Sequence, residues 1–118
     1  MKILVIDDDV LLLRTITRIL EGDGHEVMTA SEGERGMVLI RMRNPDLVIT
    51  DIVMPHQEGL ETILKLRRDD NPIKILAMSG RDSEMLETAR LIGADDVIEK
   101  PFRAEELLDR VHALANPA

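Results

Sequence analysis

The chain has 118 residues, of which 44% are hydrophobic and 32% are charged, and its 15 Lys and Arg against 23 Asp and Glu give a formal net charge of −8. A chain of this length supplies one hydrophobic core, so we expect a single domain over residues 1–118, and the composition excludes disorder, collagen-like repeats and a membrane span. The negative charge disfavours direct nucleic-acid binding, and the absence of Cys excludes disulfides and Cys-ligated metal centres.

Short apolar runs alternate along the chain with longer segments of helical period. The predicted strands, in chain order, span residues 3–6, 25–29, 47–49, 73–77 and 96–98. The predicted helices span residues 10–21, 32–43, 59–68, 83–92 and 103–115. This alternation predicts βα units around a parallel sheet, and the continuous apolar runs suit strands that helices cover on both faces.

Residues that begin or end helices stand between these segments. Asp9 is suited to cap the first helix, and Ser31 is suited to cap the second. Asn44 followed by Pro45 ends the second helix, and Gly93 ends the fourth. The boundaries therefore agree with five βα units.

Polar residues follow four of the predicted strands at their carboxyl ends. These residues are Asp7-Asp8-Asp9 after the first strand, Thr50-Asp51 after the third, Ser79-Gly80 after the fourth and Lys100-Pro101 after the fifth. In an open parallel α/β sheet, ligands bind outside the carboxyl ends of the strands, near the point where the strand order reverses. The sequence therefore predicts one site at this edge of the sheet.

Three carboxylates meet at that predicted site. Asp7, Asp8 and Asp51 oppose one another's ionisation at short range, and a divalent cation would relieve the repulsion. Oxygen ligands without His or Cys favour a hard ion such as Mg²⁺. With the Ser79 hydroxyl and the Lys100 ammonium nearby, the site can hold Mg²⁺ and stabilise a phosphoryl group.

This arrangement resembles the receiver domains of two-component response regulators over nearly the whole chain. The segments that carry the resemblance are Ile3-Leu4-Val5-Ile6-Asp7-Asp8, Asp51-Ile52-Val53-Met54-Pro55 with Gly59, Ser79-Gly80, Gly93-Ala94-Asp95-Asp96 and Lys100-Pro101-Phe102. The resemblance implies a CheY-like fold, a doubly wound (βα)5 domain with five parallel strands in the order 2-1-3-4-5.

The resemblance also implies roles for the site residues. Asp51 would accept a phosphoryl group from a phosphohistidine of a sensor histidine kinase or a histidine phosphotransfer domain. Asp8, Asp51 and the Val53 carbonyl would ligate Mg²⁺ directly, and Asp7 would do so mainly through water. Lys100 and Ser79 would contact the transferred phosphoryl oxygens. The domain would then be a signalling switch that catalyses its own phosphorylation and dephosphorylation, without a separate substrate to turn over.

Further expectations concern the output of such a switch. The family's output face, made by the fourth helix, fifth strand and fifth helix, could contact an effector domain or a second copy of the chain. Val97 stands where the family usually has Tyr or Phe, so we do not expect an aromatic rotamer to report the switch. Residues 116–118 could begin a linker. The N-terminal apolar run is too short for a signal peptide, so a cytoplasmic location without membrane attachment is expected.

Two alternatives remain open on the sequence. A pseudo-receiver would keep the fold and act by protein contact without phosphorylation. A phosphatase of the haloacid-dehalogenase type would use Asp7 as its nucleophile, because Asp7-Asp8-Asp9 after an apolar strand resembles the Asp-x-Asp motif of that superfamily. The chain is short for the phosphatase fold, however, and that reading leaves the segment from Asp51 to Pro55 without a role.

Overall fold

The computed structural model describes residues 1–54, 58–80 and 83–115. The strands are β1 (Lys2–Ile6), β2 (Glu26–Ala30), β3 (Leu47–Asp51), β4 (Lys74–Ser79) and β5 (Asp96–Glu99). The helices are α1 (Val10–Gly22), α2 (Gly33–Arg43), α3 (Glu58–Arg68), α4 (Ser83–Ile92) and α5 (Ala104–Ala115). Every predicted element is present, and the largest shift of an element boundary is two residues. The predicted linker at residues 116–118 lies outside the described residues.

The five strands form one parallel sheet in the order β2-β1-β3-β4-β5, as predicted. Successive side chains of a strand point to opposite faces of its sheet. In β1, Ile3 and Val5 therefore pack on the face that α1 and α5 cover. Leu4 and Ile6 pack on the opposite face, which α2, α3 and α4 cover. The apolar runs are continuous because both faces of the sheet are buried.

The ends of the first two helices test the capping predictions. The carboxylate of Asp9 accepts hydrogen bonds from the backbone N–H groups of Leu11 and Leu12 at 3.1 and 3.2 Å, so the predicted cap of α1 is confirmed. The predicted cap of α2 by Ser31 is wrong. That helix begins at Gly33 with Glu32 as its N-cap residue, which places Ser31 one position too early to bond the first free amides.

Candidate functional site

The carboxyl ends of the two central strands bring two buried acids together. Asp7 directly follows β1 and is fully buried, while Asp51 ends β3 and is 4% exposed. Asp8 is exposed beside them, and one carboxylate oxygen from each of the three residues lies within 4.8 Å of the others. Because β1 pairs with both β2 and β3, the chain reverses its winding direction at this point of the sheet. The predicted cluster of Asp7, Asp8 and Asp51 is therefore present.

Lys100 follows β5 and reaches across the sheet edge to the same acids. Its Nζ donates a hydrogen bond to Asp7 Oδ2 at 2.7 Å and another to Asp51 Oδ2 at 3.1 Å. The side chain of Lys100 is 20% exposed, so this ammonium group is partly shielded from water. One ammonium group thus bridges two buried carboxylates. Opposite charges attract more strongly in a partly shielded site than in water.

Backbone groups hold the other oxygen of each buried acid. The N–H of Asp9 donates to Asp7 Oδ1 at 2.9 Å, and the N–H of Val53 donates to Asp51 Oδ1 at 3.0 Å. A side chain at Gly59, in the first turn of α3, would place its Cβ 2.0 Å from the backbone carbonyl oxygen of Asp51. Glycine at this position therefore lets α3 approach the end of β3 and fixes the backbone that carries Asp51.

Burial and nearby charges act in opposite directions on the pKa of Asp51 and on the pKa of Lys100. Burial raises the pKa of Asp51 above its usual value, even though the Val53 amide and the Lys100 charge favour the carboxylate. Burial acts to lower the pKa of Lys100, but its hydrogen bond to Asp7 and the charges of Asp51 and Asp7 outweigh that effect and raise it. Lys100 therefore keeps its charge, and Asp51 depends on nearby positive charge to remain ionised.

Ser79 ends β4 at the same edge of the sheet. Its side chain is fully buried, and its Oγ finds no hydrogen-bond partner among the residues that the structure describes. A buried hydroxyl without a partner is costly and uncommon in folded proteins. The backbone carbonyl of Ser79 accepts from the N–H of Lys100 at 2.7 Å, which joins the two strand ends. The unpaired hydroxyl is therefore suited to donate to an anion bound in the pocket.

Two ionic clusters were not found by sequence reasoning. On the side of α4 and α5, Asp96 Oδ1 accepts from Arg90 at 3.0 Å and from Arg110 at 2.9 Å. At the opposite end of the sheet, the carboxylate of Asp23 contacts two histidines. Each cluster joins side chains from different elements, and only the packing of the helices on the sheet brings these side chains into contact.

The fold and the site define a doubly wound α/β domain with an acidic pocket and a bridging lysine at the point where the winding reverses. Residues 3–112 match the family of response regulator receiver domains. The chain therefore belongs to this family, as the sequence motifs predicted.

Individual relatives support this assignment. The chain is 40% identical over 114 residues to the response regulator MprA of Mycolicibacterium vanbaalenii. The aligned region covers 96% of this chain and 49% of that protein. The chain thus spans about half the length of the curated relatives it matches.

Solved structures of receiver domains superpose closely on the chain. A response regulator signal receiver domain from Bermanella marisrubri is 39% identical, with a TM-score of 0.91 and 98% of each chain covered. The receiver domain of NtrX from Brucella abortus is 31% identical, with a TM-score of 0.90 and coverage of 95% of this chain and 96% of that one. These relatives favour the receiver assignment over the phosphatase alternative.

Within the described ranges, no helix has the length and apolar character that crossing a membrane requires.

Proposed function

We propose that this domain accepts a phosphoryl group on Asp51 from a phosphohistidine of a sensor histidine kinase or of a histidine phosphotransfer domain. The observation that carries the proposal is the position of Lys100, whose ammonium contacts Asp7 and Asp51 together. The hydroxyl of Ser79, which has no partner among the described residues, lies buried at the neighbouring strand end. A nucleophilic carboxylate, a cation and a free donor are the groups that phosphoryl transfer needs.

Asp51 is the best placed of the three acids to be the nucleophile. Asp7 is completely enclosed, and its two oxygens accept from the Asp9 amide and from Lys100. Asp8 is exposed, so it lies on the solvent side of the pocket. Asp51 keeps a small exposed fraction, and its Oδ1 is oriented by the Val53 amide while Lys100 holds Oδ2. Its side chain is therefore both oriented and reachable.

In the transfer step, one carboxylate oxygen of Asp51 attacks the phosphorus of the donor. The new O–P bond forms as the N–P bond of the phosphohistidine breaks, and the imidazole leaves with the electron pair. Lys100 turns from the carboxylate to the oxygens of the transferred group, and the Ser79 hydroxyl donates to one of them. Attack by water on the same phosphorus releases phosphate and returns Asp51 to its starting state.

The donors present fit a magnesium ion. All the candidate ligands are oxygens, and three of them are carboxylates within 4.8 Å of one another. Asp8, Asp51 and the backbone carbonyl of Val53 would hold the ion directly, and Asp7 would hold it mainly through water. When bound, Mg²⁺ neutralises charge on the phosphoryl oxygens.

The proposed output surface consists of α4, β5 and α5, and Asp96 links these three elements. This residue of β5 accepts hydrogen bonds from Arg90 of α4 and Arg110 of α5 on the same oxygen. A movement of Ser79 toward a bound phosphoryl group that also displaced α4 would disturb this shared contact. The ion pairs can report the switch in the absence of an aromatic side chain at Val97. An effector domain or a second copy of the chain is the proposed partner of this surface.

Labelling with radioactive acetyl phosphate and Mg²⁺ tests the proposal. Wild-type protein should take up acid-stable, base-labile label, Asp51→Asn should take up none, and Asp7→Asn should be labelled more slowly at the same residue. Chelation of the metal should slow labelling of the wild type. Loss of label in Asp7→Asn with retention in Asp51→Asn would point to the phosphatase alternative. An unlabelled wild-type protein that folds normally would point to the pseudo-receiver.

A further inference from the structure

A second cluster of metal-ligating side chains lies at the other end of the sheet from the acidic pocket. Asp23 follows the last turn of α1, His25 directly precedes β2, and His112 lies on α5. Oδ2 of Asp23 is 2.6 Å from Nε2 of His112 and 2.9 Å from Nε2 of His25. One ligand atom from each residue lies within 4.8 Å of the other two. The cluster therefore brings together two imidazoles and one carboxylate.

We propose that Asp23, His25 and His112 bind a divalent cation of the Zn²⁺ type, with water completing its coordination. Two imidazole nitrogens and a carboxylate oxygen are ligands that zinc uses commonly, whereas Mg²⁺ prefers oxygen alone. The chemistry of this cluster is thus distinct from that of the acidic pocket, and the proposal does not depend on phosphorylation of Asp51.

The two distances from Asp23 to the imidazoles require little rearrangement to admit the ion. Zinc–ligand bonds of about 2.0–2.2 Å at tetrahedral angles separate neighbouring ligand atoms by about 3.3 Å. The two imidazoles would therefore each move away from Asp23 by less than about 1 Å. The proton on each Nε2 would shift to Nδ1 of the same ring, so that the nitrogen lone pair faces the metal. At His25 this ends the 3.2 Å contact between Nδ1 and the amino group of Met1.

Exposure of the ligands gives the cation a path from solvent. The side chain of His112 is 52% exposed and that of Asp23 is 28% exposed, while that of His25 is only 11% exposed. His25 is the most enclosed of the three ligands, and Asp23 and His112 are accessible to a cation from solvent. Because His112 is 89 residues from Asp23, a bound cation would tie α5 to the turn between α1 and β2. Such a tie exists only in the folded chain, so binding must stabilise the fold.

Titration of the full chain with Zn²⁺, followed by calorimetry and thermal melting, tests this site. Millimolar Mg²⁺ in every sample, and a parallel series in Asp51→Asn, separate it from the acidic pocket. We expect one Zn²⁺ per chain in both proteins and a Tm rise of about 10 °C at a hundredfold excess over Kd. His112→Gln should weaken Zn²⁺ binding at least about tenfold, since it removes one ligand from an exposed position. Asp109→Asn, at an exposed position of the same helix, should bind as the wild type does.

Four results would overturn the proposal. The first is the absence of saturable Zn²⁺ binding to the wild-type chain. The second is wild-type affinity in His112→Gln, and the third is loss of Zn²⁺ binding in Asp51→Asn, which would assign the ion to the acidic pocket. Nitrogen NMR of the histidine rings adds a readout independent of stability: the Nε2 resonances of His25 and His112 should shift on addition of Zn²⁺. Unchanged ring resonances at saturating metal would also refute the assignment.

Discussion

Replacing Lys100 by methionine isolates the contribution of the bridging ammonium group. Methionine keeps the length and most of the apolar stem of lysine, but it removes the charge and both hydrogen bonds. Asp7, which is fully buried, and Asp51, which is nearly so, would then face each other without a cation between them. We therefore expect Lys100→Met to lower the free energy of unfolding of the metal-free protein.

The structure gives the size of this effect. Removing one partner from a buried ion pair costs about 3–5 kcal/mol, because the remaining charge stays buried without compensation. Lys100 itself retains 20% exposure, so the lower end of that range, about 3 kcal/mol, applies. In a domain of this size, about 3 kcal/mol corresponds to a fall in Tm of about 12 °C. A bound divalent cation would replace the missing positive charge, so Mg²⁺ should shrink the difference.

Urea unfolding of the wild type and Lys100→Met, each with chelator and with millimolar Mg²⁺, measures both effects. Adding Asp51→Asn to Lys100→Met should recover stability, because it removes one of the two unpaired charges; about 1 kcal/mol of non-additivity is expected. Equal stability of the wild type and Lys100→Met in chelator would show that the ammonium group does not compensate the two buried carboxylates. A difference that Mg²⁺ leaves unchanged would show that the cation does not act on these carboxylates.

Three further predictions concern the same pocket. Ser79→Ala should leave the free energy of unfolding unchanged or higher, because the lost hydroxyl has no partner within the described chain. The same substitution should slow phosphorylation by acetyl phosphate about 100-fold. A clear loss of stability or an unchanged phosphorylation rate would contradict this prediction. Gly59→Ala should destabilise the fold by about 3 kcal/mol in urea unfolding, since its Cβ would meet the Asp51 carbonyl. Gly80→Ala should cost far less, because a Cβ there meets no atom of the described residues within 4 Å, and equal costs would count against this packing difference. In chelator, burial raises the pKa of Asp51 above its ordinary value of 3.8, so its contribution to stability is present below pH 3.8 and is lost as the pH rises through the raised pKa. Asp51→Asn should therefore gain stability relative to the wild type across that pH interval, and a pH-independent difference in urea unfolding would disprove it.

The fold could be read from the sequence because its strands are buried on both faces. The continuous apolar runs that form β1 and β3 are typical of strands in a parallel sheet that helices cover on both faces. The predictions ended β3 and β4 two residues early, and the polar last residue of each strand continues the pairing in the structure. Asp51 pairs with Met78, and Ser79 pairs with Glu99. Polar residues stay within these strands because the site is built on their last positions.

The candidate site was predictable in its membership but not in its contacts. Because the carboxyl ends of parallel strands lie at one edge of the sheet, the sequence predicted that Asp7, Asp51 and Lys100 share one site. That Lys100 contacts Asp7 more closely than Asp51, and that the Ser79 hydroxyl is unpaired in the described structure, depends on side-chain packing. The cluster around Asp23 was also not predicted from the sequence, because it depends on the orientation in which α5 packs, with His112 facing the turn between α1 and β2.

Peptide-level mass spectrometry of the wild-type protein shows directly which carboxylate accepts the phosphoryl group. The protein is incubated with acetyl phosphate and Mg²⁺, and borohydride then reduces any acyl phosphate to homoserine. We expect homoserine at Asp51, with none at Asp7 or Asp8 and none when the phosphodonor is omitted. Homoserine at either of the other acids, or an unmodified Asp51 after prolonged exposure to donor and metal, would contradict it.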